Sequence, residues 1–415
     1  MIKSEFGKNV LKLISGTAAA HMIAFLLTPV LTRLYGKVDL GYWQLFVSTI
    51  TTLGVVASLK LETAVVLPEN EREAESVIAA AVAATLAFVA VLTLVLSIWG
   101  RQFLKMMKAE PLVPYKFALS LGVLLFAWVQ LLQSILVRKK LFGVLALNKI
   151  IQIGSSMILA IALGLLYRSF RTLLITQLLG YALAGAALYR LSRLTLFLNF
   201  TDLKRTFIAY KKFPTVNTAT FFLNTFSLQL PVFMLSRYFG AEQVALYSMA
   251  NQMMNVPLFM IGSSVHQVYY QKAAEAYHRS ADELAAVYKS TVKKLAIIGL
   301  APVIVILAFG PLIASLYFGK SYMETGIYMR IITFWMYFQF INSPISGTFI
   351  ILDRQEIGFI LVAVSIIIRF AVMAVFHQSP RAMIAALSAA AGLFYLFYNL
   401  SIYYYIRRAR TGKHV

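Results

Sequence analysis

Long apolar stretches recur almost end to end along this chain, about twelve of them. Each approaches the roughly 20 residues that an α-helix, rising about 1.5 Å per residue, needs to cross a hydrocarbon core about 30 Å thick. A chain patterned this way has little left over for a water-soluble domain. Composition agrees, since 60% of residues are hydrophobic and 13% charged, whereas soluble domains carry charge on about a quarter of theirs. The fold class expected is therefore an all-α polytopic membrane protein.

The apolar windows predict spans at 10–32, 41–67, 77–98, 112–137, 143–166 and 170–189, then at 213–236, 244–268, 292–317, 326–351, 357–377 and 382–406. The first follows Lys3, Lys8 and Lys12 but is too long for a signal-peptide core, so it reads as a permanent span. An even number of spans leaves both termini on one side. When the 38 Lys and Arg are sorted by alternate loops, the set containing the termini is about twice as rich. It includes Arg72, Arg138, Lys139, Lys140, Lys149, Lys204 and Arg205, against Arg33, Arg101, Arg168 and Arg237 in the other set. Cytoplasmic loops carry that excess, so both termini are expected in the cytoplasm. The net charge of +22 marks topology in this way and suits anionic lipid headgroups, with no soluble basic face for nucleic acid.

The polar connection at 191–212 divides the chain into an N-terminal six-helix bundle (1–190), a cytoplasmic linker and a C-terminal six-helix bundle (213–415). Across it a pattern repeats without a gap: LTRLYGKVDLGYW at 31–43 and LSRYFGAEQVALY at 235–247, aligning Arg33 with Arg237 and Gly36 with Gly240. Six intervening spans give both copies one orientation. Two parallel halves around a central cavity are the expected architecture. Pro29 and Pro231 fall in the opening span of each half, where each kinks its helix either as a fixed feature or as part of a moving one.

Enzyme signatures are missing. The chain has no cysteine, no His-Glu-x-x-His, no Gly-x-Gly and no Asp-x-Asp, so neither a metal nor another cofactor is expected. Chemistry rests on ionisable and amide side chains inside spans, each costing about 3 kcal/mol at mid-depth if it faces lipid. Lys60 and Glu62 in SLKLETAVVLP either line a cavity or pair at the cytoplasmic interface. Arg369, flanked by SIII and FAVM, needs an anion, carbonyls or water and is assigned to a cavity. His21 shares a face with Thr17 and Thr28, and serves as an interhelical hydrogen bond or a proton carrier. Arg33 and Arg237 fit interface anchors, with ligand binding as the alternative. Amides such as Gln152, Asn251 and Asn342 suggest a wet interior, and the aromatic clusters YMRIITFWMYF and YLFYNLSIYYY suggest interfacial belts.

The block LTRLYGKVDLGYWQLF followed by SLKLETAVVLPENEREA resembles the first two spans and acidic loop of the polysaccharide-exporter branch of the multidrug, oligosaccharidyl-lipid and polysaccharide transporter superfamily. Lys60 stands where relatives often have Arg, which keeps the cation but loses a bidentate fork. The resemblance implies a flippase in the bacterial inner membrane. It would move undecaprenyl-pyrophosphate-linked oligosaccharide repeat units, of O-antigen, capsule or exopolysaccharide, to the outer leaflet by alternating access. Glycosyltransferases and a polysaccharide polymerase would be its partners. Lys60 and Arg369, with Arg33 and Arg237 behind them, would hold phosphate or acidic sugar, and His21 or Glu62 would couple an ion. A cation-coupled multidrug exporter on the same fold is the alternative, although its usual carboxylate in the first or seventh span is missing.

Overall fold

A computed structural model describes the backbone of residues 5–191 and 203–410, with side chains from residue 16 onward except those of 259, 260, 263, 264, 267 and 410. Lys3, the side chains of Lys8 and Lys12, and linker residues 192–202 lie outside the described residues. The helices are α1 (Glu5–Leu34), α2 (Lys37–Gly54), α3 (Leu61–Ala64), α4 (Glu71–Met106), α5 (Lys116–Arg138), α6 (Phe142–Gly164), α7 (Phe170–Leu191) and α8 (Leu203–Ala209). They continue as α9 (Thr218–Phe239), α10 (Ala241–Arg279), α11 (Ala281–Phe318), α12 (Met323–Ile345), α13 (Thr348–Ile351), α14 (Gln355–Val375) and α15 (Pro380–Arg410). Among the described residues, nine helical segments are long and apolar enough to cross a membrane, in α1, α4, α5, α6, α7, α9, α11, α14 and α15. The chain is a multi-pass, all-α membrane protein.

Local chemistry explains where the helices exceed the apolar windows. The Asn70 side chain accepts from the Glu73 amide at 2.7 Å, starting α4 six residues before its apolar stretch. Ser280 caps α11 the same way, accepting from the Glu283 amide at 3.1 Å. Asp282 and Glu283 there, and Glu71 and Glu73 on α4, complement the helix dipoles. Gly240, at φ 85°, ends α9 in a conformation that a Cβ would strain.

The second span corrects the sequence reading, which drew one helix over 41–67. Instead α2 stops at Gly54, and Leu59 (φ 52°) and Lys60 (φ 57°) are both left-handed before α3 begins. The freed backbone groups pair through short turns, with Leu59 N donating to Val56 O at 2.9 Å and Leu61 N to Ser58 O at 3.1 Å. An irregular segment at membrane depth survives only when its polar groups are satisfied within protein. The tenth span also breaks, between α12 and α13, just after Pro344.

Packing divides the chain into two units, Met1–Ala245 and Leu246–Val415. In the first, α1 packs along α6, α6 and α5 along α7, and α2 against α5 and α9. Gly41 of α2 also lies close against the first residue of α10, because a Cβ there would lie 1.8 Å from the Ala241 carbonyl oxygen. The two copies of the repeated motif therefore touch, and Lys37 pairs with Glu242 at 2.9 Å beside them. In the second unit, α11, α12 and α15 pack mutually and α14 lies on α15. Its core unites Tyr269, Leu284, Phe349 and Ile402.

Candidate functional site

Two clusters place cations inside the protein, one in each unit. The first lies at the break of the second span. Left-handed Lys60 turns its side chain inward, where it is 4% exposed and meets Glu62, 2% exposed, at 2.7 Å. Ser58 donates to the other Glu62 oxygen. The Lys60 ammonium also sits 4.2 Å from the centre of the Phe221 ring, near the start of α9. Lys60 and Glu62 thus pair locally, as the interface alternative had it, but buried within protein. The pair neutralises itself, and the ring supplies the rest of the ammonium's surroundings.

Arg138, which sequence reading counted only as a loop charge, ties the end of this broken span to α4. It donates to the Val65 carbonyl at 3.1 Å and the Pro68 carbonyl at 2.6 Å, and pairs with Glu71 at 3.1 Å. Tyr210, just past α8, donates to Glu73 at 2.8 Å. Burial, then the Glu73 carboxylate that takes its hydrogen bond, push the Tyr210 hydroxyl up to about 12, so it stays a donor.

The second cluster centres on Arg369 of α14, which is 6% exposed. Its guanidinium carbon lies 5.5 Å from the Trp335 ring centre on α12, and 5.8 Å from those of Phe394 and Tyr395 on α15. No carboxylate pairs with it among the described residues. Arg369 Nε and the Trp335 indole nitrogen are both buried donors without an acceptor there. A desolvated cation and two such donors, in a wall of aromatic faces, are suited to an oxygen-rich anion. Trp335 belongs to this wall and not to the interfacial belt that its sequence neighbourhood suggested.

The other expected residues lie elsewhere. Arg33 is exposed and donates to the Pro29 carbonyl at 2.9 Å; Arg237 is exposed against Met106 and Tyr238. Arg33 precedes α2 and Lys60 follows it, so an 18-residue helix about 27 Å long stands between them in the chain. His21 is half-buried on α1, within electrostatic reach of Lys149 on α6. Lys149 corrects its loop assignment, since it lies inside α6 beside fully buried Asn148, both of whose amide atoms lack partners among the described residues. Among the described residues, no group of three or more His, Asp or Glu is placed to hold a metal.

A model of the family described as polysaccharide biosynthesis protein matches residues 30–326, well over half of the chain. The chain belongs to that family. In fold, this polysaccharide biosynthesis protein is similar to the lipid II flippase MurJ in an inward closed conformation. The TM-score is 0.75 at 14% identity, covering 94% of this chain and 87% of that one. It is also similar to an inward-facing multidrug resistance MATE family transporter of the MOP superfamily, with TM-score 0.65, 16% identity and coverage of 97% and 96%. A MOP superfamily transporter from Pyrococcus furiosus, described by a binding pocket of reverse polarity, gives TM-score 0.61 at 15% identity over 97% and 96%. At these identities the likeness concerns fold. A comparison with curated proteins finds no match.

Proposed function

We propose that this polysaccharide biosynthesis protein is a flippase. It moves undecaprenyl-pyrophosphate-linked oligosaccharide repeat units from the cytoplasmic to the outer leaflet of the bacterial inner membrane by alternating access, with both termini in the cytoplasm. The observation that carries the reading is Arg369, a buried guanidinium without a carboxylate partner among the described residues, walled by Trp335, Phe394 and Tyr395. A pyrophosphate cannot cross hydrocarbon unaided, because an isolated ion costs tens of kcal/mol to transfer there. A protein that moves one must offer a desolvated cation that is not already neutralised. Arg369 meets this requirement, and aromatic faces beside it are surfaces on which sugar rings stack. The family membership and the fold shared with a lipid II flippase support the same class.

Lys60 takes a second role in this reading. Its charge is balanced by Glu62 in the state described, so it binds phosphate only when that pair opens, and the broken span is where the opening occurs. Transport is tested with purified protein in liposomes holding fluorescent lipid-linked oligosaccharide. Movement between leaflets should far exceed that in empty vesicles and fall at least tenfold with Arg369→Ala. Rates equal to those of empty vesicles would end the flippase reading. Buried Glu62 is the observation favouring the alternative, a cation-coupled multidrug exporter. That reading requires proton- or sodium-driven efflux of a cationic dye, abolished by Glu62→Gln.

A further inference from the structure

An apolar groove of about 420 Å³ runs between α11, α12 and α15, floored by Val292, Ala296, Tyr337, Ile341, Leu396 and Leu400. The polar groups around it are already engaged. Tyr288 donates to the Asn399 carbonyl at 2.7 Å, Asn342 to the Asn399 side-chain oxygen at 2.7 Å, and Tyr337 to the Ala296 carbonyl at 3.2 Å. The floor therefore offers hydrocarbon to an occupant and no unmet polar atom.

One end is cationic. Lys289 and Lys293 line it, one helical turn apart on α11, where like charges repel. Neither pairs with a carboxylate among the described residues. The Tyr403 ring is contacted by Lys289 at 5.1 Å and by the Arg407 guanidinium at 5.0 Å. Arg407 continues into an adjoining cavity of about 220 Å³, where Asp282 is the acidic member. Lys289 lines that cavity too, so across the two cavities three cations, Lys289, Lys293 and Arg407, stand against one carboxylate.

Depth agrees with this polarity. From Lys293 to Phe318 at the end of α11 is about 38 Å at about 1.5 Å per residue. That nearly equals the roughly 40 Å of a bilayer with its headgroups. With Phe318 at one surface, the lysines reach the headgroup layer of the other, and Ala296, Ile341 and Leu396 fall at acyl depth. These basic residues belong to the loops expected in the cytoplasm, the leaflet richer in anionic lipid.

We propose that this groove is a binding site for an anionic phospholipid, one acyl chain lying along the apolar floor and the phosphate between Lys289 and Lys293. The site is independent of the transported substrate and of the flippase reading. The test uses the full-length chain carrying Leu400→Trp, with quenching by brominated phosphatidylglycerol compared with brominated phosphatidylcholine and referred to the parent. The added indole should be quenched at about tenfold or more lower mole fraction of the anionic lipid, and the preference should vanish in Lys289→Gln/Lys293→Gln. Both lysines are exposed, and the Lys289→Arg/Lys293→Arg pair should keep the preference, which separates charge loss from misfolding. Equal quenching by the two lipids, or a preference that survives the Gln pair, would overturn the proposal. So would competition by chainless glycerol phosphate as strong as that by phosphatidylglycerol, which would make this a simple phosphate site. Undecaprenyl phosphate displacing phosphatidylglycerol preferentially would assign the groove to the carrier lipid instead.

Discussion

Lys60 and Glu62 sit 2.7 Å apart with almost no exposure, and burying that pair cost two hydration shells. Removing one partner strands the other. Lys60→Ala should therefore lower stability by about 3–5 kcal/mol, read by thermal unfolding in detergent. Lys60→Met/Glu62→Met should recover most of that loss while still impairing transport; recovery of both would show that the pair only fills space. Arg369 differs because its charge has no carboxylate partner among the described residues, so its removal should spare the fold and abolish movement of substrate. Arg369→Lys should rescue poorly, since an ammonium lacks the planar face that lies against Trp335, Phe394 and Tyr395. A Lys variant with parental transport rates would refute a requirement for the guanidinium.

Among the elements, the broken second span stores backbone strain. Left-handed geometry costs an L-residue about 1–2 kcal/mol, and Leu59 and Lys60 both adopt it. Their side chains hold the break, with Leu59 packed on the Leu61, Val77 and Leu132 core and Lys60 on Glu62. Lys140, exposed between α5 and α6 at φ 56°, is left-handed with less to hold it there. Lys140→Gly should raise stability by about 1 kcal/mol in denaturant titration. Gly240→Ala should do the reverse by about 1 kcal/mol or more, because the turn between α9 and α10 needs φ 85°. Gly41→Ala should be worse, since its Cβ would collide with the backbone of Ala241.

For the whole molecule, topology is the testable quantity, and the chain contains no cysteine to interfere. Single cysteines at Lys140 and Arg408 should react with a membrane-impermeant maleimide only after the inner membrane is opened. Cysteines at Arg101 and Arg168 should react in intact spheroplasts. Any reversal between these two sets would invert the orientation drawn from the loop charges. The same charges were a poor guide to two residues. Lys149 and Arg138 were counted as loop cations, yet Lys149 lies within α6 and Arg138 clasps the carbonyls of Val65 and Pro68. Both stand near a span end, where hydropathy cannot tell a solvated cation from one turned inward.

Hydropathy and charge asymmetry act over windows of many residues, and the bilayer imposes one helix length on all of them. The class of the protein and the repeated motif were therefore legible in the chain alone, as was Arg369 as a cation inside a span. The tertiary structure alone decided which groups meet: the left-handed break that turns Lys60 onto Glu62, the Phe221 ring beside it, and the aromatic wall assembled from α12 and α15 around α14. Such contacts join residues far apart in sequence. They depend on helix rotation and on backbone exceptions that no linear period encodes.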